Sequence, residues 1–146
     1  MKNLILFVFV ATISLQINAQ HSDRELVTKA CTNYIEGFYE GNTDKLKASL
    51  QPHLHKFGFW KSKKTKQFGK PIPMTFKGAL KFADNVKKKQ NFAKKGSPKK
   101  IEILDLMDKI AVVKVTAYWG TDYMHLSKQG NKWMIEQVIW QGPNSK

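Results

Sequence analysis

Apolar residues recur along this chain in two rhythms, and the switch between them divides it. From residue 26 to 38 the apolar positions are Leu26, Val27, Ala30, Cys31, Tyr34, Ile35 and Phe38, three and four apart, with Lys29, Asn33 and Glu36 opposite. That spacing predicts one face of an amphipathic helix. Ser22-Asp23-Arg24-Glu25 before it reads as a capping box, in which the Ser22 hydroxyl accepts from the N–H of residue 25 and Glu25 reaches back. Gly41-Asn42 ends the helix, and Asn42 or Thr43 caps a short second one carrying Leu46 and Leu50, stopped at Pro52. A third helix begins at a Thr75 cap and places Phe76, Ala79, Leu80, Ala83 and Val86 on one face. Between the second and third helices, residues 53–73 predict a loose hairpin with its tip near 61–66. Pro71 and Pro73 confine its second arm to a sheet edge, because proline donates no ladder hydrogen bond.

After a polar loop at 91–100 the rhythm changes to period two. Strands are expected at 101–107, 110–119, 122–127 and 132–140. Asp108-Lys109 joins the first two, and Lys128-Gln129-Gly130-Asn131 forms a hairpin turn between the last two. Several of these strands are apolar on both faces: Val113, Val115 and Ala117 alternate with Val112, Thr116 and Tyr118, and Ile135 and Ile139 with Met134, Val138 and Trp140. Helices covering one face of a sheet require only one apolar face, so the second implies a partner, and a homodimer through the sheet face is expected.

The N-terminus reads differently from the rest. Lys2 precedes an apolar run from Leu4 to Ala11, followed by Ile17-Asn18-Ala19. The run is too short for a bilayer of about 30 Å, and the pattern is that of a cleavable signal peptide over 1–19, leaving one domain over 20–146. Export to the periplasm or medium without a membrane anchor is expected. Intact-mass analysis of exported chain should show cleavage after Ala19; a full-length exported chain would contradict it. One cysteine, Cys31, allows no internal disulfide, and its place on the helix's apolar face marks it as a small buried hydrophobe.

The net charge of +14 is concentrated in one stretch. Residues 61–100 hold fourteen lysines and one acid, Asp84, whereas 20–60 and 101–146 balance to zero. The excess is lysine, and the single arginine is Arg24, so lysines 61–100 suit diffuse polyanion contact or a solvated face rather than bidentate readout. His53 and His55 are too few for a closed zinc site. Glu102 and Asp105 fall on opposite strand faces, and Asp122 at a strand start reads as a turn residue, so no carboxylate pair is placed for acid–base chemistry. No metal or cofactor is implied.

The order helix, short helix, hairpin, helix and four strands is similar to the cone-shaped nuclear transport factor 2-like fold. Tyr34-Ile35-Glu36-Gly37-Phe38-Tyr39-Glu40-Gly41-Asn42, with Leu50-Gln51-Pro52, resembles the opening of that superfamily's putative lumazine-binding family. Asp122-Tyr123-Met124-His125-Leu126 with Gly130-Asn131-Lys132-Trp133-Met134-Ile135 resembles its closing hairpin. The resemblance implies an α+β fold, three N-terminal helices packed on a curved antiparallel sheet, enclosing a cavity for a small organic ligand. Binding without catalysis is expected; the superfamily also holds enzymes, so a lyase or isomerase of the polyketide cyclase or ketosteroid isomerase-like type is one alternative, and lysines 61–100 make a lysine-rich adaptor for polyanions the other. Tyr123, His125 and Ser127 share one face of a strand, which is either pocket lining or solvated. Tyr123 and His125, with Tyr34 from the first helix, are the expected ligand-binding residues.

Overall fold

In the computed structural model, residues 23–143 are described; the expected signal peptide, its cleavage site and Ser22 of the capping box lie outside them. The first helix, α1, covers 23–39 and buries Val27, Ala30, Cys31, Tyr34, Ile35 and Phe38, the face that its spacing predicts. Asp23 at its start accepts from Trp133 Nε1 (3.0 Å) and Lys128 Nζ (2.8 Å), which pins the helix to the last hairpin. Asn42 caps α2, Thr43–Lys47, by accepting from the N–H groups of Asp44 and Lys45. The third helix, α3, spans Phe76–Lys88, with Thr75 Oγ1 accepting from the Gly78 N–H at 3.1 Å. Two helices are therefore long and one is a single turn, and α3 follows the first two strands. Three helices preceding the sheet is thus not the arrangement found.

The strands are β1 Leu50–Phe59, β2 Ile72–Met74, β3 Lys100–Leu106, β4 Ile110–Ala117, β5 Gly120–Gln129 and β6 Lys132–Gln141. They form one sheet in the order β2-β1-β6-β5-β4-β3. Every pairing is antiparallel except β1 with β6, which is parallel, so the sheet is mixed and the expectation of an antiparallel one is corrected. The expected stop at Pro52 is also corrected: Leu50 already opens a ten-residue strand, and Pro52 sits where the β1–β6 register is interrupted between Leu50 and His55. A proline is tolerated there because the ladder asks nothing of its missing N–H.

The inner face carries Ala111, Val113, Val115 and Ala117 from β4, Met124 and Leu126 from β5, and Trp133, Ile135 and Val138 from β6, all buried in one core with α1 and α3. Part of the two-sided apolar pattern has a local cause. The β5–β6 register shifts between His125 and Leu126, leaving one extra residue on β6. Such a bulge reverses which side chains point inward. Trp133 and Ile135 face in before it and Val138 after it, so Trp140 is turned toward the helices and Ile139 outward. All lysines of 61–100 except Lys61 are exposed. Among the described residues no helix is long and apolar enough to cross a membrane.

Candidate functional site

At one end of the sheet, where the helices do not close over it, lies a cavity of about 180 Å³. α1 contributes Tyr34 and Phe38, β1 contributes Lys56 with Trp60 just beyond, and β2 contributes Ile72 and Met74. Phe82 comes from α3, Tyr118 and Trp119 from the β4–β5 turn, and Trp140 from β6. Trp60, Ile72, Phe82 and Tyr118 are about half exposed and form the rim, so the cavity opens to solvent. The rings meet edge to face, with Tyr34–Phe38 centroids at 5.1 Å and Phe38–Trp119 and Phe38–Phe82 at 5.7 Å. This is the arrangement that aromatic quadrupoles favour, and it makes a firm wall.

Two of the indoles rest on glycines. Gly58 stands opposite Trp140 in the parallel β1–β6 pair, and a Cβ added there would lie 2.2 Å from the Trp140 ring. Gly142 likewise leaves room for Trp60, whose ring a Cβ would meet at 2.7 Å.

The floor is polar. Lys56 is 7% exposed, and its Nζ donates to Tyr34 Oη at 2.7 Å. Tyr34 Oη in turn donates to Asp122 Oδ2 at 2.9 Å. Trp119 Nε1 donates to both Asp122 oxygens, each at 3.1 Å. Lys56 Nζ also lies 5.4 Å from the centroid of the Tyr34 ring and 5.6 Å from that of Trp140, within cation–π range. A buried ammonium and a buried carboxylate are thus bridged by one phenol, with the ammonium on the cavity side.

Burial governs the protonation of all three groups. It pushes the Lys56 ammonium down to about 8, against the pull of the Asp122 charge. It raises Asp122 above the usual carboxylate range, with Lys56 and the bonds from Tyr34 and Trp119 opposing, and it holds the Tyr34 phenol well above its ordinary value. Cys31, packed behind them, is pushed up to about 12, consistent with its reading as a buried hydrophobe.

Of the three residues expected to bind ligand, Tyr34 lines this cavity and the other two do not. Tyr123 is 53% exposed on the outer face of β5, and His125 is exposed beside it with Nδ1 3.2 Å from Gln137 Oε1. Met124 and Leu126 point to the helices instead, so the expected parity of β5 is corrected by one residue. Asp122 shares that buried parity and is no surface turn residue. Its alternation with Met124 and Leu126 was the signal for it. Lys56 could be found the same way: Leu54, Lys56 and Gly58 are buried positions of β1 that alternate with the exposed His53 and His55 and the half-buried Phe57. His53 Nε2 lies 2.7 Å from Glu136 Oε2, and among the described residues no three His, Cys, Asp or Glu side chains converge as a metal site.

Two helices and a turn of helix laid over a six-stranded mixed sheet, with an aromatic cavity at the open end, define a nuclear transport factor 2-like domain. Solved structures agree on the fold. A nuclear transport factor 2-like protein of unknown function from Silicibacter pomeroyi superposes with TM-score 0.63 at 12% identity, covering 81% of this chain and 93% of that one. One from Shewanella baltica gives 0.63 at 17%, covering 84% and 95%. One from Methylobacillus flagellatus gives 0.61 at 18%, covering 82% and 91%. Within this class, the profile of the family described as putative lumazine-binding matches residues 22–141, and the chain belongs to that family. No curated protein matches it.

Proposed function

We propose that this domain binds a small organic molecule in the aromatic cavity, with Lys56 as the polar anchor at its floor and no catalysis. The observation that carries the reading is that Lys56 is the one residue with an ionised side chain at neutral pH among ten that line an otherwise apolar, open cavity. Concave apolar sites with a few placed polar groups are the usual form of small-molecule sites. Three of the chain's four tryptophans, Trp60, Trp119 and Trp140, line the cavity, so occupancy should alter intrinsic fluorescence. Titration with single-ring aromatic alcohols and ketones should quench it saturably, and Met74→Trp, which fills the cavity, should abolish the response. A linear, unsaturable response in both proteins would contradict the reading.

A lyase or isomerase would need its carboxylate within reach of the ligand. Asp122 stands behind Tyr34 and Trp119, and the Tyr34 proton is directed at Asp122 rather than at the cavity. That geometry favours binding over acid–base chemistry.

We also propose a homodimer through the outer sheet face. There Phe57, Ile139 and Tyr123 lie in adjacent register on β1, β6 and β5, with Ile139 and Tyr123 substantially exposed. Light scattering at tens of micromolar should give twice the chain mass, reduced to the monomer by Ile139→Glu. A monomer mass for the parent protein would refute this.

A further inference from the structure

Lys56 is unusual among the described lysines in being buried, with its amine in a cavity large enough for a ring. Among the described residues its hydrogen-bond partner is Tyr34 Oη alone, which leaves the rest of the amine's valence facing the aromatic walls. The phenol that takes this bond passes its own proton toward Asp122. Lys56, Tyr34 and Asp122 therefore form a directed path from an amine at the cavity floor to a buried carboxylate.

We propose that Lys56 is a nucleophilic amine that captures a small aldehyde or ketone in the cavity as an imine. The proposal rests on the cavity being the ligand site and names the ligand's reactive group. The neutral Nζ adds its lone pair to the carbonyl carbon, a C–N bond forms, and the carbonyl π pair moves to oxygen. Proton transfer from nitrogen to that oxygen gives a carbinolamine. The nitrogen lone pair then expels the hydroxyl, which takes the proton remaining on nitrogen and leaves as water, and C=N forms. One water is released and nothing is oxidised or reduced. The proton that Lys56 must first lose has a route through Tyr34 to Asp122, whose burial favours accepting it.

Desolvation of an amine in an apolar pocket is a recognised way to make lysine reactive at neutral pH. With its ammonium pushed down to about 8, roughly one Lys56 in ten is neutral at pH 7, against roughly one in 2,500 for a free lysine. The titratable groups around Nζ are Tyr34 from α1 and, through it, Asp122 from β5, with Cys31 behind them and Tyr118 of the β4–β5 turn at the rim of the cavity. β2, α3 and β6 present Met74, Phe82 and Trp140.

The test treats the full chain with limiting benzaldehyde and cyanoborohydride at pH 7, then maps benzyl adducts over the 24 lysines and the N-terminal amine by peptide mass spectrometry. Lys56 should carry at least tenfold more label than any exposed lysine, and benzyl alcohol, which has no carbonyl, should protect it. Its labelling rate should level off above about pH 8, while exposed lysines continue to gain toward roughly 10.4. If benzyl alcohol quenches the cavity tryptophans but Lys56 is labelled no more than exposed lysines, imine capture is refuted and ligand binding stands. If neither quenching nor selective labelling occurs, both are refuted.

Discussion

Asp122→Ala should destabilise the fold by about 3–5 kcal/mol, the usual cost of removing one partner of a buried ion pair. Three groups lose their partner together. The Lys56 ammonium loses the opposite charge behind Tyr34, the Tyr34 hydroxyl loses its acceptor, and Trp119 Nε1 loses both oxygens it donates to. Tyr34 is fully buried, so its hydroxyl cannot turn to water without opening the core. The pH dependence has a definite sign. The Lys56 pKa is lower in the folded than in the unfolded state, so the unfolded chain binds more protons between the two values and stability rises with pH across that window. For the parent protein the window runs from about 8 to roughly 10.4. In Asp122→Ala the lower edge moves down, because the carboxylate that held Lys56 protonated is gone. Adding Lys56→Met to Asp122→Ala should restore part of the loss, because an uncharged pair leaves no buried ion uncompensated. Urea unfolding of the four proteins of this cycle measures it. A loss below about 1 kcal/mol for the single variant would mean that the buried network contributes little to the fold.

Gly58→Ala should cost about 1–3 kcal/mol, the usual penalty for overpacking, and should weaken ligand binding at least tenfold. A Cβ at residue 58 would stand 2.2 Å from Cδ2 and Cε2 of Trp140, so the indole must leave its seat. Trp140 is at once a wall of the cavity, a cation–π neighbour of Lys56, and the support of Trp60, 6.3 Å away between centroids. Moving it changes three surfaces that a ligand would touch. The stability loss is read from unfolding and the affinity from tryptophan quenching. Unchanged affinity in a folded Gly58→Ala protein would remove Trp140 from the site.

What the sequence could and could not show follows from how local each signal is. The buried face of α1 is written in a three-and-four spacing, and Tyr34 was found on it. Period two marks β4 and β5 as strands, but it does not say which parity faces the helices when both faces carry large side chains. On β5, Tyr123 and His125 alternate with Met124 and Leu126, and both pairs are bulky enough to line a cavity, so the polar pair is the expected lining although it lies on the outer face. Asp122 was missed because a charged residue near a turn is most often solvated, whereas here it is buried against two donors from other elements. The bulge that turns Trp140 inward is a one-residue register shift within the last hairpin, which period two does not mark, and the parallel pairing that sets Trp140 over Gly58 joins partners about eighty residues apart in the chain. Lys56 was hidden in a lysine-rich chain, and only the burial of β1 distinguishes it from the solvated ones.

The most direct test of the account is a crystallographic screen of small aromatic compounds bearing a carbonyl or hydroxyl group. The account predicts ligand density between Trp119, Trp140 and Phe38, with the ligand's oxygen in hydrogen-bond reach of Lys56 Nζ, or continuous with it for a carbonyl compound. Ligands found only on the outer face around Tyr123 and His125, with the cavity left unoccupied, would contradict it.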